Sequence, residues 1–77
     1  MKDKIKQIMA NVFSIDVASI EDDASPDIII NWDSLNHMNF VVALEEEFDI
    51  RFTDDEIAEM LNLALIEYTI KQKLGVA

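Results

Sequence analysis

Asp33-Ser34-Leu35-Asn36-His37-Met38-Asn39-Phe40-Val41-Val42-Ala43-Leu44-Glu45-Glu46-Glu47-Phe48 is the stretch that decides the fold. At about 100° per residue, Phe40, Leu44, Phe48 and Val41 fall at roughly 140°, 180°, 220° and 240° from Leu35. They make one coherent apolar stripe, which we assign to the core. Leu35, Met38 and Val42 fall at roughly 0°, 300° and 340° on the same wheel, on the opposite side. A helix in a small bundle buries one wide stripe. The second stripe is therefore covered by another helix of an irregular bundle, or it is exposed beside Asn39 and Glu46 as a protein-contact surface.

Working outward, Asp33 is a good N-cap for this helix. Upstream, residues 15–32 contain Glu21-Asp22-Asp23-Ala24-Ser25-Pro26-Asp27, which has no helical period and carries a Ser-Pro breaker. The run Ile28-Ile29-Ile30 has no second strand to pair with, so the segment reads as a long loop pinned to the core by its isoleucines. Before it, Ile5, Ile8, Met9, Val12 and Phe13 follow helical spacing and place a first helix at about residues 2–14. Downstream, Thr53 and Glu56 form a capping box that opens a short third helix over about 54–60. Asn62 caps a fourth helix carrying Leu63, Ile66, Ile70 and Leu74, with Lys71 and Lys73 at its negative end and Gly75 closing it. The fold class is all-α: a four-helix bundle with a long first loop and a short third helix. Residues 1–77 are expected to form one domain that acts as a monomer.

The chain carries 16 acidic and 6 basic residues, a formal charge of -10. That excludes phosphate-backbone binding to nucleic acid, which needs clustered Lys and Arg. With no Cys and one His, thiolate sites and multi-histidine metal sites are excluded. Asp22, Asp23 and Asp27 lack calcium-loop spacing and the loop glycine. No apolar run spans a bilayer, and Met1-Lys2-Asp3-Lys4 leads into a charged, patterned segment unlike a signal peptide, so no membrane insertion and a cytoplasmic location are expected. Between residues 16 and 67 there are fifteen acidic residues and one base, Arg51. Glu45, Glu46 and Glu47 load the end of the second helix against its dipole. Such a run is a solvated face or, beside an apolar stripe, a device for steering basic partners.

Ser34 falls in the first turn of that helix, where backbone N–H groups and the positive dipole end favour a phosphate. Capping preference alone also places serines there. His37 lies three residues on, without an orienting third group or oxyanion site, and reads as a packed or capping imidazole rather than the base of a Ser-His dyad. No enzyme activity is expected.

Asp33-Ser34-Leu35, followed by Ala43-Leu44-Glu45-Glu46-Glu47-Phe48, resembles the acyl carrier proteins, and the likeness runs without a gap from the first helix to Tyr68. The resemblance implies that Ser34, next to Asp33, carries a 4′-phosphopantetheine arm attached from coenzyme A by a phosphopantetheinyl transferase. The thiol of the arm would hold acyl groups as thioesters for acyl-transferring and acyl-modifying enzymes of fatty-acid, polyketide or related biosynthesis. Leu35, Met38, Val42, Glu45, Glu46 and Glu47 would meet those partners. The remaining alternatives are an aminoacyl or peptidyl carrier and a non-enzymatic acidic interaction domain. Ile29, Ile30 and Asn31 stand where the family usually has Asp-Leu-Gly; Asn tolerates the left-handed backbone that Gly would supply. Trp32 replaces a small residue, as an anchor for the loop or a contact for the arm. Asn36 and Asn39 replace carboxylates, from which Asn36→Asp is expected to speed loading by a fatty-acid-type transferase.

Overall fold

Side-chain caps open the second, third and fourth helices. In the computed structural model, which describes residues 1–75, Asp33 Oδ1 accepts from Asn36 N at 2.8 Å and opens α2, Ser34–Phe48. Thr53 and Glu56 close the capping box of α3, Asp54–Glu59, with both reciprocal bonds formed. Asn62 Oδ1 accepts from Leu65 N at 2.8 Å to open α4, Leu63–Leu74, and Gly75 ends it at φ 74°. The first helix, α1, spans Lys2–Phe13 and ends one residue earlier than expected, because Ser14 turns left-handed at φ 56°. Asp49 does the same for α2 at φ 54°. Asn31, in contrast, is not left-handed: among the described residues only Ser14, Asp49 and Gly75 have positive φ. The architecture is all-helical, and no described residue is in a strand.

Three helices supply most of the core. Ile5, Met9 and Phe13 of α1 meet Phe40, Val41 and Leu44 of α2 and Leu63, Ile66 and Ile70 of α4. The short α3 buries none of its own residues fully; Phe52 before it and Met60 after it hold it down. Phe48, assigned to the core stripe, is only half-buried, and Leu74 is exposed. Both lie in the last turn of their helices, where the bundle offers less to pack against.

The loop between α1 and α2 is ordered by turns and by three ties. A 3-10 turn, Val17–Ser19, is capped by Asp16. The Ala24 carbonyl accepts from Leu63 N at 3.0 Å and ties the loop to α4. Asp22 meets Lys6 at 2.9 Å and Lys2 at 3.4 Å on α1. Asn31 Nδ2 donates to the Phe13 carbonyl at 2.8 Å, satisfying one orphan acceptor at the end of α1. The expectation that the isoleucine run pins the loop holds for one residue of three. Ile29 is buried, whereas Ile28 and Ile30 are 61% and 94% exposed. Ile20, Ala24 and Trp32 are the other apolar anchors of the loop.

Candidate functional site

The site forms where the loop enters α2. The Asp33 cap fixes the first turn, and the Asp33 carbonyl accepts from His37 N at 2.7 Å. Ser34 is the first helical residue and is exposed. A helix of 15 residues points its positive end at this position, so a phosphate ester on Ser34 is electrostatically favoured there.

Beneath Ser34 lies a cluster of aromatic rings. Trp32 is 4% exposed and stacks on Phe13 at 5.1 Å between ring centroids. It meets Phe40 edge-on at 5.7 Å. Its indole Nε1–H donates to His37 Nδ1 at 2.9 Å. His37 Nε2 lies 2.9 Å from the Ile57 carbonyl of α3. An indole N–H can only donate and a carbonyl can only accept, so His37 is the neutral tautomer protonated at Nε2. Both ring nitrogens are engaged, which leaves none to take a proton from Ser34. Trp32 thus anchors the loop, and His37 joins loop, α2 and α3. Indole donors seldom go unsatisfied when buried, which is the signal in the sequence that could have pointed to this pair.

A groove of about 460 Å³ opens beside Ser34, lined by Pro26, Trp32, Met38, Ile57 and Leu61 among others. Its size suits a small organic ligand and its walls are largely apolar. The exposed Ser34 hydroxyl, the helix N-terminus and this groove together fit a phosphate-linked, extended arm of modest polarity. A second groove, about 520 Å³, runs between α1 and α2 past Val42 and Glu46 and does not include Ser34.

The second stripe of α2 is left uncovered: Leu35, Met38 and Val42 are 73%, 47% and 48% exposed. The three glutamates are not equivalent. Glu45 is half-buried, and its Oε2 accepts from Phe52 N at 2.9 Å, capping the turn into α3. Glu47 pairs with Lys4 of α1 at 3.5 Å. Glu46 is exposed on the second groove with Val42. Part of the acidic run at the negative end of α2 therefore has a structural role. Among the described residues no group of acidic and His side chains is placed to hold a metal ion, and no helix is long and apolar enough to cross a membrane.

Comparison with known proteins agrees with this geometry. The family profile "Phosphopantetheine attachment site" matches residues 3–67. Polyketide-8 synthase acyl carrier protein 2 of Streptomyces avermitilis is 30% identical over 96% of this chain and 85% of its own length. An acyl carrier protein of Clostridium acetobutylicum is 33% identical over 90% of both chains. An acyl carrier protein of Buchnera aphidicola subsp. Schizaphis graminum is 41% identical over 77% of this chain and 73% of its own.

Proposed function

From the premise that this chain belongs to the acyl carrier protein family, whose members carry a phosphopantetheine prosthetic group, we propose that Ser34 is its attachment residue. The observation that carries the reading is the position of Ser34: exposed, first in α2 behind the Asp33 cap, and at the mouth of the apolar groove. The arm supplies a terminal thiol able to hold an acyl group as a thioester, the reactive sulfur that a chain without cysteine lacks. The chain's own residues orient and present it. The N-terminus of α2 balances the phosphate charge, and Trp32, Met38, Ile57 and Leu61 offer the arm an apolar wall. Catalysis is left to partner enzymes, since His37 is fully engaged with Trp32 and Ile57.

The partner face in this reading is Leu35, Met38 and Val42, with the exposed Glu46 in the acidic rim and Glu45 and Glu47 contributing charge while serving their internal bonds. A small apolar patch with steering charge suits a carrier that must dock, react and release. Cargo in this reading is an acyl group of fatty-acid, polyketide or related synthesis. The likeness to a polyketide carrier over nearly the whole chain supports the polyketide branch. Residues 1–77 act as one monomeric carrier domain in the cytoplasm. The test is to incubate the protein with acyl-coenzyme A, magnesium and a broad-specificity phosphopantetheinyl transferase. Intact mass should rise by one acyl-phosphopantetheine, and hydroxylamine should release the acyl group as expected of a thioester. No gain from folded protein with several transferases would overturn the reading and favour an acidic interaction domain.

A further inference from the structure

The loop-side flank of Ser34 is held by asparagine side chains. Asn31 Nδ2 donates to the Phe13 carbonyl at 2.8 Å, and the Asn31 carbonyl accepts from Asn36 Nδ2 at 2.9 Å. The Asn36 backbone N–H is meanwhile taken by Asp33 Oδ1 at 2.8 Å, and Asn36 Oδ1 accepts from Asn39 Nδ2 at 3.2 Å. Asn36 therefore bonds backward on two levels, across Ser34, to Asn31 and Asp33. The chain of bonds runs from the end of α1 through the loop to the second turn of α2. On the other flank, the neighbouring pair, Trp32 of the loop and His37 of the helix, is held to α3 through the Ile57 carbonyl. Ser34 sits between these clasps.

The polarity of the first clasp is fixed. The Asn31 carbonyl can only accept, so position 36 must donate. A carboxylate there would set oxygen against oxygen at the distance of a hydrogen bond. We propose that Asn36, acting through Asn31, is a positioning residue for loading of Ser34, and that it is an amide because the clasp needs a donor. This rests on the reading of Ser34 as the attachment residue. In that transfer the Ser34 Oγ–H bond breaks and an Oγ–P bond forms at the pantetheine-bearing phosphorus of coenzyme A. The bond from that phosphorus to the bridging oxygen breaks, and the adenosine bisphosphate leaves with the electron pair while the proton passes to base or solvent. The clasp fixes the backbone on either side of Ser34 and so the place from which its hydroxyl attacks, which acts on kcat. The expectation drawn from charge alone, that Asn36→Asp speeds loading, is reversed.

The test compares the parent with Asn36→Gln, Asn36→Ala and Asn36→Asp, measuring kcat and KM for loading by one transferase and the melting temperature of each protein. Asn36→Ala should lose about two- to tenfold in kcat, the span of one hydrogen bond, with KM nearly unchanged. Asn36→Asp should fall below Asn36→Ala, and Asn36→Gln, which keeps a donor, should stand above it. Melting temperature should follow another order, because an acidic residue in the first turn favours the helix dipole. Asn36→Asp should therefore melt no lower than Asn36→Ala while loading more slowly. The inference is overturned if Asn36→Asp loads as fast as the parent, if only KM moves, or if kcat tracks melting temperature across the series. A parent protein that does not load overturns the reading of Ser34 as well, and is thereby distinct from a parent that loads with indifferent variants.

Discussion

Replacing His37 with Phe removes the acceptor of the Trp32 indole N–H and the donor to the Ile57 carbonyl, while keeping a ring of similar shape. Trp32 is 4% exposed, so its N–H would be left buried without a partner. An unsatisfied buried donor costs about 1–3 kcal/mol, and the bond lost at the Ile57 carbonyl, which still accepts from Met60 N at 3.4 Å, adds about 0.5–1.5 kcal/mol. We expect His37→Phe to lose about 1.5–4.5 kcal/mol, against a total stability of about 4–12 kcal/mol for a chain of this length. In melting temperature that is a fall of about 6–36 °C. His37→Gln places a carbonyl and an amide on one side chain, able to accept from Trp32 and donate toward Ile57, and should lose less than about 1.5 kcal/mol. Urea unfolding followed by far-UV circular dichroism measures both. The emission of Trp32, the single tryptophan, reports whether the indole environment changes in the folded protein. If His37→Phe unfolds within about 0.5 kcal/mol of the parent, the ordinary range for surface changes, the bridge does not hold α3 to the loop and the reasoning fails.

Two further predictions test the loop tie and the partner face. The Asp22 carboxyl is held below its ordinary value first by its hydrogen bond to Lys6 and then by Lys2. Its contribution is therefore present above the unfolded carboxylate value and lost as pH falls through the lower folded one; the melting-temperature gap between parent and Asp22→Asn should be open at neutral pH and close in acid, and a gap that widens in acid contradicts the tie. Met38→Ala and Val42→Ala should leave stability within about 0.5 kcal/mol, as exposed sites do, yet each should raise KM for the loading transferase about fivefold if it is a contact anchor, and loading of the parent should slow with salt as steering charges are screened; unchanged KM for both variants would remove the stripe from the interface.

How far the sequence could be read depended on how local the physics is. The caps at Asp33, Thr53 with Glu56, Asn62 and Gly75 were legible because each uses residues three or four apart. The two stripes of α2 were legible for the same reason, and the structure buries Phe40, Val41 and Leu44 while exposing Leu35, Met38 and Val42. The loop was not. Three consecutive isoleucines carry no sign of which one turns inward, and Ile29 is chosen by turns whose bonds reach back to Ser25. Glu45 looked like surface charge because its partner, the Phe52 N–H, lies beyond the end of the helix. Asn36 looked like a lost carboxylate because its partner is a backbone carbonyl five residues upstream. In each case the deciding contact is one that side-chain periodicity does not encode.

The most direct test of the central claim is to locate the modification. Holo protein would be digested and its peptides fragmented in the mass spectrometer, with Ser34→Ala treated in parallel. The account predicts the phosphopantetheine group on Ser34 alone and an unmodified Ser34→Ala protein that keeps its helical spectrum. A phosphopantetheine group on Ser14, Ser19 or Ser25, or one that survives Ser34→Ala, would contradict it.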